Sequence, residues 1–306
     1  MNSPSAYAVK WFLRSQHPLL RRLHHPRQIS LLEPLLEKTA ILPGLTSAIH
    51  STVGGREVVT VHNHRLNRHR DRVLAYIHGG GYNTGNPRTH RALAARLMLA
   101  GKFDRVMLPS YRRAPQHPFP AGREDIWSFW QALLQTHDPS QLYLAGESAG
   151  GGLCLGLSQQ LRDQGMPQPV RLYLHSPWLD LSLSGHSYRD PALYDGFTGR
   201  HRHRAQWIHR VFARHYLGRH PATDPAVSPV FAEVDRLPPI LVHTGSDEVF
   251  LDDSRLLATR CAAAGTPCEL IVWDGMWHAF AMFAPLVPEA TRALRLAGRW
   301  LETGHV

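Results

Sequence analysis

The sequence predicts an α/β chain built on a mostly parallel sheet. Apolar runs of strand length alternate with stretches of helical period from residue 56 onward, the pattern of right-handed strand–helix–strand units. One run, Leu142-Tyr143-Leu144-Ala145, passes through Gly146-Glu147-Ser148-Ala149-Gly150 into an apolar helix. The residue types suited to chemistry stand after predicted strands, at the carboxyl ends where open α/β sheets carry their sites. The 306 residues are 43% apolar and 19% charged, enough to bury a sizeable core.

Residues 1 to about 50 read as short helices punctuated by Pro18, Pro26, Pro34 and Pro43. Ala6 to Leu13 is apolar enough to dock, and Leu31, Leu32, Leu35, Leu36 and Ile41 come close to a helical period. This segment, 1–50, is expected to cover or pack on a second domain, 51–306. Glu57 to His62 reads as a strand, and 63–71 as a polar turn. Val73 to His78 is a buried strand that ends in Gly79-Gly80-Gly81-Tyr82. Three glycines there let the backbone approach a ligand and turn N–H groups inward. His78 ends the strand and is expected to pin the loop, not to react.

Residues 88–101 form a helix with Leu93, Leu97 and Ala100 on one face, and Arg105 to Ser110 is the next strand. A proline-rich connection, 111–121, leads to a helix with Glu124 and Asp125 in its first turn, where they suit the helix dipole. After the Gly146–Gly150 turn and its helix, Val170 to His175 is a strand that runs into Ser176 to Leu181. The stretch 182–217 breaks the rhythm with an aromatic insertion, expected to form part of a cap. It holds His201, His203, His209 and His215, but none of these pairs has the i,i+4 spacing of helical metal ligands, and no metal is expected. Pro239 to Thr244 and Cys268 to Trp273 are the last strands. The first ends in Gly245-Ser246-Asp247-Glu248, and the second in Asp274 to Phe280. Pro288 to Glu302 is a closing helix.

Ser148 stands at the tip of a Gly-x-Ser-x-Gly turn, a nucleophile elbow. A general base and an acid belong with it, because a serine hydroxyl is a weak nucleophile. His278 qualifies by its place after the final strand. Asp247, Asp252 and Asp253 compete for the acid. Asp247 directly follows its strand and is the choice, since Asp252 and Asp253 read as the start of the next helix.

The charge pattern narrows the partners. The formal net charge is +10, nearly all of the excess from scattered arginines. No basic strand interleaved with aromatics of the single-strand-binding kind is present, so no nucleic-acid partner is expected. Three cysteines, Cys154, Cys261 and Cys268, have no metal or disulfide spacing. No signal-peptide core or ~18-residue apolar span is seen. A cytoplasmic protein without stable membrane insertion is the expectation.

These residues, with His78 to Tyr82, Tyr111 to Ala121, Ser176 to Leu181, Asp224 to Pro229, Leu237 to Asp253 and Trp277 to Phe280, resemble the hormone-sensitive-lipase-like esterases in family order over residues 56–300. The resemblance implies an α/β-hydrolase fold: a mostly parallel, twisted sheet of about eight strands flanked by helices, with a helical cap. It implies a serine carboxylesterase for short- to medium-chain acyl esters, with no cofactor. Ser148 would be the nucleophile, His278 the general base and then acid, and Asp247 the orienter. Gly80, Gly81 and Ala149 would supply oxyanion-hole N–H groups. Tyr82, Trp178, Phe197 and Phe280 are assigned to the substrate pocket. Arg113, Gln116 and Glu147 depart from the residues common in the family, and none of the three removes a catalytic group. An amide or lactone hydrolase with the same triad, and a silent small-molecule binder, are the alternatives. Many relatives form homodimers through the sheet edge, but this sequence carries no interface signal.

Overall fold

The computed structural model describes residues 2–20, 22–23, 25–66, 70–190, 192–196, 198–199 and 203–306. The N-terminal segment is helical: α1 (Pro4–Leu20), α2 (Pro26–Ser30) and α3 (Glu33–Thr39). The sheet begins earlier than expected, with β1 (Thr46–Val53) turning through Gly54-Gly55 into β2 (Arg56–Asn63). β1 lies at the sheet edge with most of its side chains exposed. Its mixed Thr-Ser-Ala-Ile-His-Ser run therefore lacks the alternation that marks a half-buried strand.

The remaining elements alternate as expected. They are β3 (Val73–Ile77), α4 (Pro87–Ala100), β4 (Arg105–Pro109), α5 (Ala121–Thr136), β5 (Leu142–Glu147), α6 (Ala149–Asp163) and β6 (Leu172–His175). The aromatic insertion follows, with α7 (Arg204–Ile208), a π-helical turn (His209–Ala213) and α8 (Arg214–Leu217). Then come β7 (Ile240–Gly245), α9 (Leu251–Ala264), β8 (Cys268–Trp273) and α10 (Pro288–Thr303). Among the described residues, eight strands form one sheet in the order β1-β2-β4-β3-β5-β6-β7-β8. β2 runs antiparallel to β1 and β4, and the other pairs are parallel.

Strand side chains alternate between two cores, as the two-residue repeat requires. Along β3, Val73, Ala75 and Ile77 join Phe129, Trp130 and Leu133 of α5 and Leu153 and Leu157 of α6. Leu74 and Tyr76 face the other way, onto Leu93 and Leu97 of α4 and Leu294 and Leu301 of α10. A sheet buried on both faces brings its strand ends to a level rim, and the candidate residues sit on that rim. Leu144 in the middle of β5 is fully buried. Its change to Ala would cost about 2–5 kcal/mol and loosen the strand that presents Ser148. No described helix is long and apolar enough to cross a membrane.

Candidate active site

Ser148 joins β5 to α6 with φ 54° and ψ −125°, a strained conformation for a residue with a side chain. The turn can be this tight because Gly150 lies against the end of β3. A Cβ on Gly150 would stand 2.1 Å from the carbonyl oxygen of Ile77. The Ser148 backbone is tied to the end of β6: its N–H donates to His175 O (3.0 Å), and its carbonyl accepts from Trp178 N (2.9 Å). With the main chain held, the side chain projects to the His278 ring, where Oγ stands 3.0 Å from Nε2. Burial holds the His278 ring below the usual imidazole range. The ring is therefore neutral at pH 7 and can accept the serine proton. Phe250 packs edge-on against it at 4.7 Å.

The structure does not bring Asp247 to the histidine. The Asp247 carboxylate is occupied by Lys10 of α1 and by the Ser246 hydroxyl (3.1 Å), and its side chain is partly exposed. Lys10 also donates to Gly275 O (2.9 Å), so it bridges the loops that follow β7 and β8. The carboxylate that turns inward belongs to the next residue. Glu248 is fully buried, and its Oε2 accepts from Ser176 Oγ (2.7 Å) and Gly245 N (2.8 Å). Ser176 Oγ in turn accepts from Ala279 N (3.1 Å). On the other side, Asp195 Oδ2 accepts from both Val249 N (3.3 Å) and His278 N (3.2 Å). The chain around Glu248 is thus stapled to the chain on both sides of His278. Oε1 of Glu248 is buried with no donor at full hydrogen-bond geometry among the described residues. Burial pushes this carboxyl up to about 8, against the opposing hydrogen bonds from Ser176 and Gly245. The choice of Asp247 did not weigh Glu248, the adjacent acid that the turn buries. The missed signal is that a turn exposes one of two adjacent acids and buries the other. Asp252 and Asp253 start α9 as expected; Asp253 is buried and accepts from Leu179 N, Asp180 N and Tyr188 Oη.

The glycine loop stands over the start of α6. Gly80 has φ 115°, and a Cβ there would overlap the carbonyl of Thr84 at 2.1 Å. The Gly80 carbonyl points away, accepting from Asn83 N and Thr84 N. The N–H groups of Gly80 and Gly81 bond to no acceptor among the described residues, and the Ala149 N–H heads a helix whose first-turn donors have no intrahelical partner. Glu147 anchors this loop, a role that sequence reasoning did not assign. Its fully buried carboxylate accepts from Gly79 N and Tyr76 Oη and lies 3.0 Å from His90 Nε2. Burial disfavours a charge on His90, but the Glu147 carboxylate outweighs it and raises the imidazole's pKa. His78 bonds to Gly79 O (2.8 Å) and stacks on Tyr111. Burial holds its ring neutral, well below the usual range.

The residues assigned to the pocket scatter. Tyr82 stacks on Tyr216 (4.0 Å) and donates to Trp178 O (3.0 Å). Trp178 stacks on Phe250, the ring that touches His278. Both are buried, and they support the site from behind. Phe280 is fully buried in the second core, packed on His175 (4.9 Å) and Trp273 (5.8 Å). It fills space under the His278 loop, because the chain turns inward directly after that loop. Phe197 lies outside the described residues, as does His201. Phe212, from the insertion, packs over Gly81: a Cβ on Gly81 would meet its ring at 2.5 Å. Among the described residues no group of three His, Cys, Asp or Glu is placed to hold a metal ion.

A family model of the alpha/beta hydrolase fold matches residues 74–282. The chain is 37% identical over 237 residues to an acetyl-hydrolase of Streptomyces hygroscopicus, covering 77% of each. It is 36% identical over 226 residues to an esterase of Acinetobacter venetianus, covering 72% of each. Among solved structures it is similar to an esterase of the bacterial hormone-sensitive lipase family, with a TM-score of 0.87 and 33% identity over 99% of this chain and 98% of that one. It is also similar to the esterase EstE5 soaked with p-nitrophenyl butyrate, with a TM-score of 0.86 and 32% identity over 98% of each chain.

Proposed function

Since the chain belongs to the hormone-sensitive-lipase-like esterases of the alpha/beta hydrolase family and is a carboxylic ester hydrolase, we propose that it hydrolyses short- to medium-chain acyl esters through Ser148, His278 and a buried glutamate, Glu248. The observation that carries this reading is the 3.0 Å contact between His278 Nε2 and Ser148 Oγ at a strained elbow. The chain length rests on the company the chain keeps, an acetyl-hydrolase and a structure soaked with a butyrate ester. The three cysteines are free, which suits a reducing compartment.

His278 takes the Ser148 proton as Oγ attacks the ester carbonyl. The oxyanion forms against the N–H groups of Gly80, Gly81 and Ala149, where the dipole of α6 also favours negative charge. His278 then gives its proton to the leaving alcohol. Water repeats the cycle on the acyl-enzyme and frees the acid. In the resting site Glu248 has no cation to offset its burial. Once ionised, the Glu248 carboxylate would stabilise the imidazolium formed as His278 takes the serine proton. In this reading Glu248 takes the orienting role expected of Asp247, and Asp247 with Lys10 braces the loops.

Hydrolysis of p-nitrophenyl acetate, butyrate, octanoate and palmitate by wild type and Ser148→Ala tests the proposal. Turnover of the short esters should fall by about 10⁶-fold in the variant. A folded wild type that cleaves none of these esters would overturn it.

A further inference from the structure

Helix α1 buries Ala6 and Val9 in the second core, with Leu13 packed against it, and turns a further apolar face outward. At about 100° per residue, Tyr7, Ala8, Trp11, Phe12, Ser15 and Leu19 share one face, and all are exposed. Trp11 is 70% exposed, Tyr7 59%, Phe12 57% and Leu19 62%. The opposite face is bonded to the catalytic domain. Ser3 Oγ donates to Glu289 (2.7 Å), Lys10 pairs with Asp247, and His17 Nε2 contacts Gly196 O (2.8 Å). The helix therefore cannot roll its aromatic face inward without breaking these contacts. A second exposed apolar patch lies at α3: Leu31, Leu32, Leu35 and Leu36 on and before it are exposed. Glu33 of α3 accepts from the Gly85 N–H (2.9 Å), just after the glycine loop. The two apolar surfaces thus flank the site, one tied to the Asp247 loop and the other to the oxyanion loop.

The exposed charges carried by the N-terminal segment, among the described residues, are of one sign. Arg14, Arg22, Arg27 and Lys38 are exposed. The only acids in residues 1–45 are Glu33 and Glu37, and both carboxylates bond inward to Asn86. Exposed Trp, Tyr, Phe and Leu rimmed by Arg and Lys is the composition of helices that lie in an anionic lipid interface. A second copy fits less well, because an isologous contact would set this basic rim against itself in a chain of net charge +10.

We propose that the outward faces of α1 and α3 dock the protein on an anionic lipid surface. Docking itself does not depend on the esterase reading, so it is tested with catalysis switched off. The full chain carrying Ser148→Ala is floated with vesicles of phosphatidylglycerol and phosphatidylcholine, and with phosphatidylcholine alone. It should float with the anionic vesicles and be released by salt. Adding Trp11→Ser and Phe12→Ser should weaken partitioning by about tenfold or more. Arg14→Gln and Arg22→Gln should each weaken it about fivefold. With Ser148 intact, the Trp11→Ser/Phe12→Ser variant should keep its turnover of soluble p-nitrophenyl acetate, which shows that it is folded. A folded protein that stays off the anionic vesicles would overturn the proposal. So would unchanged binding by the Trp11→Ser/Phe12→Ser variant. A solution dimer that this variant breaks would also overturn it and give the face to a second copy.

Discussion

The floor of the site and the N-terminal segment are both rich in apolar residues, and they face opposite ways. In the floor, β3, β5 and β6 are buried on both sides. Its best-bonded polar network joins Glu147 to Gly79, Tyr76 and His90. In the N-terminal segment the polar residues Lys10 and His17 turn inward, while Trp11 and Leu31 face solvent. The floor is held by a sheet that must hide every backbone polar group. The segment is held by a few side-chain bonds and by Ala6, Val9 and Leu13 packed on the second core, and the rest of its apolar surface is exposed. Burial thus builds the catalytic geometry, and exposure marks the part that meets the surroundings.

The largest test of this contrast exchanges two adjacent acids. Glu248→Gln should lower kcat by about 10³–10⁴-fold, as expected for the loss of the charge behind a catalytic histidine. Asp247→Asn, on the partly exposed turn, should lower it less than about tenfold, since it breaks an ion pair of modest worth. Equal losses, or the reverse order, would return the orienting role to Asp247. Next in size is Glu147→Gln, which removes the charge facing His90 and disturbs the loop carrying Gly80 and Gly81. A drop of about 10²-fold in kcat with KM nearly unchanged is expected, because misplaced oxyanion donors act on the transition state. A change confined to KM would mean that the loop serves binding instead.

Smaller effects are expected where the segment touches the floor. Lys10→Met should lower Tm by about 2–4 °C and kcat by no more than about fivefold. A loss as large as that of Glu248→Gln would make α1 part of the catalytic machinery. The pH profile is the gentlest probe. His278 must be neutral to take the serine proton, and burial lowers its pKa. The acid limb of kcat/KM should therefore have its midpoint below the ordinary imidazole value of 6.5, with activity lost as pH falls through it. A midpoint near 8 would instead report the ionisation of Glu248, whose carboxyl burial pushes up to about 8.

Much of the floor was legible because strands and tight turns write themselves locally. Gly146 to Gly150 allows the elbow through the size of its neighbours, and Gly79 to Gly81 marks a loop that only glycines can follow. The alternation of Val73 to Ile77 with helical stretches predicts the parallel sheet. β1 escaped because an edge strand exposed on both faces carries no period. Phe280 was misassigned because nearness in sequence to His278 says nothing of which core a ring enters.

By itself, then, the sequence determined the order of strands and helices, the serine at the turn and the histidine on the last loop, since these depend on neighbours a few residues away. Tertiary structure alone decided which of Asp247 and Glu248 turned inward, that Glu147 holds the oxyanion loop, and that α1 shows its aromatic face to solvent. A helical period reveals that a helix has two faces. Only the contacts made by Ser3, Lys10 and His17 with distant parts of the chain settle which of the two is buried.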